Sequence, residues 1–145
     1  VRQAMLLGAC LAGQAFSNAP VAAVHALAYP VGGIFHVAHG LSNSLVLPHV
    51  LRFNAPEAAP LYAELAAIAV PHASGSEEAR TEALIAAMQH TARITGIQTT
   101  LQQVGITADD LDRLADDAML QTRLLGNNPR EVTREDARAI YAAAL

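Results

Sequence analysis

A chain of 145 residues, 52% apolar, with no tryptophan and a net charge of −4, is long enough to bury one core and too apolar to be disordered. All nine basic residues are arginine, set singly along the chain, so neither a nucleic-acid stripe nor a polybasic membrane patch forms, and no nucleic acid or membrane is expected as a partner. The single cysteine, Cys10, excludes an internal disulfide and fits a reducing, cytoplasmic setting; in its apolar run it is expected to be packed and inert.

The apolar content is mostly Ala and Leu, small or helix-favouring side chains suited to closely packed helices. Helical periodicity recurs along the chain and strand alternation is almost absent, which predicts an all-α helical bundle in one unit over residues 1–145. The first helix is predicted from about residue 2 to Phe16. Its Arg, apolar centre and small residues resemble a signal peptide, but Gln3, Gly13, Gln14 and the helical spacing favour a core helix whose upstream sequence is missing. It holds too few uninterrupted apolar residues to span a bilayer. Ser17-Asn18-Ala19-Pro20 breaks it, and Pro20 suits the first turn of a second helix carrying Val24, His25, Leu27 and Ala28. That helix is expected to stop near Pro30, with a loop from Val31 to Gly40 built on Gly32-Gly33. A third helix, from about Gly40 to Arg52, is apolar nearly all round and so buried, with a kink or break at Pro48.

Pro56-Glu57 is predicted to start another helix through Leu61, Leu65 and Ile68, ended by Pro71. Ser76-Glu77-Glu78 opens the next, through Leu84, Ile85, Met88 and Ile94, closed by Gly96; its acidic first turn matches the helix dipole. Thr107-Ala-Asp-Asp and Thr133-Arg-Glu-Asp have the form of capping boxes before Leu111/Leu114 and Ile140/Tyr141. No GxGxxG, GxxxxGK[ST], GxSxG or HExxH motif occurs, so any nucleotide would be held by another domain.

The densest chemistry lies in VHALAYPVGGIFHVAHGLSNSLVLPHV, which holds four of the six histidines. Neutral imidazole is a good ligand for iron, zinc or copper, but the segment supplies no carboxylate. His25 taken alone, on a mostly apolar helix, reads more readily as a core histidine than as a ligand. His39 beside Gly40 could be a cap or a surface residue. His36 and His39 could share an ion at i, i+3 only if that stretch were helical. His49, after Pro48, reads as structural, and His72 and His90 as surface residues.

The stretch from about Asn18 to Asn54 resembles the second signature of the iron-containing (group III) alcohol dehydrogenases. That pattern runs His, three residues, His or Tyr, then Pro and a Gly pair, then His-Gly opening an apolar helix that ends in Leu-Pro-His. Here it stands as His25-Ala-Leu-Ala-Tyr29-Pro30, Gly32-Gly33, His39-Gly40 and Leu47-Pro48-His49. The opening LLGACLAGQAFSNA and the closing NNPREVTREDARAIYAAAL resemble the same family, so the likeness covers essentially the whole chain. It implies the helical, metal-binding C-terminal half of a two-domain enzyme, with a Rossmann-like nucleotide-binding domain lying upstream of Val1.

The resemblance further implies metal- and NAD- or NADP-dependent hydride transfer between a small alcohol and its aldehyde. The divalent ion, iron(II) first and zinc second, would be held by an Asp and a His of upstream sequence and by two His that map onto His25 and His39. Tyr29 stands where other members carry a His near the nicotinamide and substrate. Ala38 replaces the family's Pro before His39-Gly40. By itself the chain is expected to be inactive, and to associate with itself as a homo-oligomer or with the missing half through exposed apolar surface. Two other readings stand beside this one: a non-catalytic helical interaction module derived from the family, and a relative such as a maleylacetate reductase or glycerol dehydrogenase.

Overall fold

The computed structural model describes all 145 residues, and they form seven α-helices and no strand. In chain order these are α1 (Arg2–Asn18), α2 (Ala23–Phe35), α3 (His39–Ala69), α4 (Glu77–Ile94), α5 (Leu111–Met119), α6 (Thr122–Leu125) and α7 (Arg134–Ala144). Short 3-10 turns at Leu101–Val104 and Ala108–Asp110 join α4 to α5.

Three expectations about helix ends are corrected by packing. Pro20 is not in the first turn of α2, which begins at Ala23 behind Ala22. Nor does α2 stop near Pro30; it runs on to Phe35 and absorbs most of the expected loop, including Gly32-Gly33. Pro30 costs that helix one internal hydrogen bond. Beyond it, Val31 is fully buried and Ile34 and Phe35 pack on the core, extending the stripe begun by Leu27. Burial of those side chains outweighs the lost bond. Finally, α3 is a single helix of 31 residues through Pro48, Pro56 and Pro60, where two helices and a break were expected. Pro48 is itself buried, and Ala58, Ala59, Ala63 and Ala66 of the distal half are buried as well, so both halves have a packing reason to stay helical.

The core is a cluster of 20 residues from α2, the first half of α3, the Leu101–Ile106 turn, α5, α6, α7 and Val132 just before α7. Tyr141 of α7 is its largest fully buried side chain, and its hydroxyl donates to the Leu27 carbonyl of α2 at 2.6 Å. The distal half of α3 and α4 form a helical hairpin outside that cluster, tied by the Thr81 hydroxyl on the Ala59 carbonyl (3.2 Å). The loop after α6 is a polar clamp. Asn54 and Asn128 exchange amide hydrogen bonds (3.0 and 2.7 Å), Arg130 donates to the Phe53 carbonyl (2.7 Å) and lies over the Phe53 ring, and Asn127 donates to the Val21 carbonyl (3.1 Å). The expected capping boxes form at Thr107/Asp110 and Thr133/Asp136, and Ser76 caps α4.

The first helix is not a core helix: it contains no buried residue. Met5, Leu6, Leu7, Leu11 and Phe16 are all exposed, and Cys10 with them, so this thiol is not packed. Apolar spacing alone brought no neighbour to cover it, and α1 leaves α2 at 108°. No single helix is long and apolar enough to cross a membrane.

Candidate metal centre

His25 lies in the first turn and a half of α2, and His39 is the first residue of α3. The turn between the helices decides whether they meet. His36 ends α2 in the left-handed region (φ 56°), a conformation few non-glycine residues adopt. Val37 and Ala38 then reverse the chain. Ser42, buried on α3, shares its hydroxyl between the Val37 and Ala38 carbonyls at 3.2 Å each. The turn closes tightly over α2: a Cβ on Gly32 would stand 3.3 Å from the Val37 carbonyl oxygen, so a larger residue there would make that carbonyl give by a few tenths of an ångström. His36 and His39 therefore flank a helix break, and the i, i+3 helical pair does not form.

The reversal brings three rings together. His25 and His39 stand 5.2 Å apart between ring centres, tilted by 53°. Tyr29, one turn after His25, stands 6.3 Å from each of them. A divalent ion about 2.1 Å from one nitrogen of each imidazole would leave the ring centres roughly 4.5–5.5 Å apart, for angles at the ion between square and tetrahedral. The observed spacing falls in that range. Burial first, and the neighbouring His39 second, hold the His25 imidazole below its usual pKa. It is therefore neutral at neutral pH and carries the lone pair a metal needs.

The pair is also incomplete. No group of three or more His, Cys, Asp or Glu side chains is placed to hold an ion, so an ion between these two rings would need further donors. Tyr29 is exposed beside them. Asn43, which sequence reasoning passed over, touches the His39 ring from one turn further along α3 (3.3 Å to Nε2). Its i, i+4 spacing from His39 was the available signal.

The remaining histidines stay apart from this centre. His72 and His90 are exposed. His49 is half-buried and lines a cleft of about 230 Å³ between α3, α4 and the end of α7, together with Gln89, Arg93 and Thr99. Burial, then the charge of Arg52, lower its pKa. None of His25, Tyr29 and His39 lines that cleft.

Residues 1–145 match the C-terminal part of the Fe-containing alcohol dehydrogenase family. The chain is 37% identical over 142 residues to lactaldehyde reductase of Escherichia coli (strain K12), covering 97% of this chain and 37% of that protein. It is 40% identical over 141 residues to long-chain-alcohol dehydrogenase 1 of Geobacillus thermodenitrificans (strain NG80-2), covering 97% and 36%. Among solved structures, a 1,3-propanediol oxidoreductase superposes with a TM-score of 0.87 at 32% identity, covering 93% of this chain and 35% of that one. An alcohol dehydrogenase from Oenococcus oeni superposes with a TM-score of 0.84, at the same identity and coverage. The chain thus spans little more than a third of the length of the relatives it matches.

Proposed function

The chain belongs to the iron-containing alcohol dehydrogenase family, and we propose that it is the helical, metal-binding part of a cytoplasmic, NAD- or NADP-dependent alcohol dehydrogenase or aldehyde reductase. The observation that carries this reading is the convergence of His25 and His39 at 5.2 Å from two successive helices. Sequence preceding Val1 would supply the nucleotide-binding domain and the Asp and His that complete the ligand set. The whole enzyme would act on a small alcohol or aldehyde and assemble as a homo-oligomer.

When bound, the ion would act as a Lewis acid on the substrate hydroxyl or carbonyl, and the nicotinamide would take or give the hydride. This chain's residues do the rest of their work by placement. His25, kept neutral by burial, and His39, set at the start of α3 by the Ser42-braced turn, would hold the ion from one side. Neutral imidazoles suit iron(II) and zinc alike. Tyr29 presents a phenol beside both rings, where it would border the substrate and nicotinamide.

The test uses the polypeptide that carries this chain together with its nucleotide-binding half. We expect metal-dependent oxidation of alcohols in the wild type and loss of bound metal, measured by mass spectrometry, in both His25→Ala and His39→Ala. Undiminished metal in both variants removes the ligand assignment. The 145 residues alone are expected to show no dehydrogenase activity, and detectable NAD-dependent alcohol oxidation by the purified chain would overturn that part.

A further inference from the structure

We infer that Asn43 is a positioning residue that fixes the His39 imidazole for metal binding; the inference rests on the metal reading above. The Asn43 amide nitrogen lies 3.3 Å from His39 Nε2 and 3.5 Å from Nδ1. A donor in line with the lone pair of one ring nitrogen would be much further from the other. A point in the ring plane this close to both nitrogens would collide with a ring carbon. The amide therefore lies over the ring face, where an N–H can rest against the π cloud. In that position it restrains the rotation of the imidazole without occupying either ring nitrogen, which leaves one free for a metal and the other for a partner that sets the tautomer.

Two further observations fix the amide itself. Its nitrogen also donates to the His39 backbone carbonyl at 2.9 Å, so turning the amide over would set oxygen against oxygen. At its other end Oδ1 is buried and has no hydrogen-bond partner. A buried acceptor without a donor is costly and calls for an explanation. Here the amide is held entirely by its donor side, against His39, with its carbonyl left unsatisfied. A leucine would fill similar space with no orphaned oxygen, but it would lose both the contact with the His39 ring and the bond to the His39 carbonyl.

The experiment is a zinc titration of the polypeptide carrying this chain and its nucleotide-binding half, against a chromophoric chelator, for wild type, Asn43→Leu and His39→Ala. Each apoprotein is also unfolded in urea. We expect Asn43→Leu to bind zinc about 10–100-fold more weakly, with an apoprotein unfolding midpoint equal to or above the wild type's. If His39→Ala loses zinc while Asn43→Leu binds as tightly as wild type, the inference is overturned and the metal reading stands. If the Asn43→Leu apoprotein is itself destabilised, the role is structural and the inference is also overturned. Wild-type affinity in His39→Ala removes the metal reading and this inference with it.

Discussion

Tyr141→Phe tests how α7 holds the helix that carries His25 and Tyr29. The phenol is fully buried, and its hydroxyl donates at 2.6 Å to the carbonyl of Leu27, the residue midway between those two. Phenylalanine keeps the ring, so no cavity beyond a single oxygen opens. The loss is then that of one buried hydrogen bond plus an incompletely satisfied carbonyl, about 1–2 kcal/mol. Tyr141→Ala removes the ring as well and should cost about 3–5 kcal/mol. For a chain of this length an entropy of unfolding near 0.3 kcal/mol/K converts the smaller loss to a fall of roughly 3–7 °C in midpoint. Thermal and urea unfolding followed by circular dichroism at 222 nm measure both variants. A Tyr141→Phe protein that unfolds at the wild-type midpoint would refute the idea that this hydroxyl braces α2. Equal losses in the two variants would refute the division between bond and cavity. Burial, and then the charge of Asp117, also push the Tyr141 phenol far above its usual range. An absorbance titration at 295 nm should therefore ionise fewer than all three tyrosines before the chain unfolds.

Three other perturbations follow from the same structure. Asn128→Ala leaves Asn54, which is almost wholly buried, without its reciprocal partner; a loss of about 2–3 kcal/mol is expected in urea unfolding, and a loss below about 0.5 kcal/mol would mean that water replaces the clamp. His49 has a folded pKa below its ordinary value, so below about pH 6.5 the unfolded chain binds more protons than the folded one. The stability linked to it is complete above that pH and is lost as pH falls through the folded pKa; His49→Gln should flatten the decline in unfolding midpoint between pH 7 and 5, and an unchanged slope contradicts the assignment. Leu11→Ser, on the exposed face of α1, should change stability by less than about 0.5 kcal/mol, whereas Leu27→Ala in the core should cost about 2–5 kcal/mol; comparable losses in the isolated chain would show that α1 is packed.

What was legible in the sequence was mostly what local chemistry decides. The Thr107 and Thr133 capping boxes and the Ser76 cap form because donor and acceptor lie within one turn of each other. The prolines misled because they too were read locally. At Pro30 and Pro56 the helix persists, since Val31, Ile34 and Phe35 on α2 and Ala58, Ala59, Ala63 and Ala66 on α3 have packed positions waiting beyond the proline. The same gap between pattern and partner explains α1. Its apolar spacing predicts burial, yet burial depends on a second surface, and within this chain none lies against Leu6, Leu7 or Leu11. The His pair needed both kinds of information. Residue types and the family resemblance named His25 and His39, but His36 and Gly32 are what place them side by side, through a left-handed cap and a close approach of backbone. A substitution at either should therefore act on the pair without touching a ring nitrogen. Gly32→Ala, whose Cβ would stand 3.3 Å from the Val37 carbonyl oxygen, is the sharper case: the turn must give by a few tenths of an ångström, and if the ring spacing matters, zinc affinity measured by chelator titration falls with His25 and His39 both in place, whereas wild-type affinity would show that the turn absorbs the methyl group.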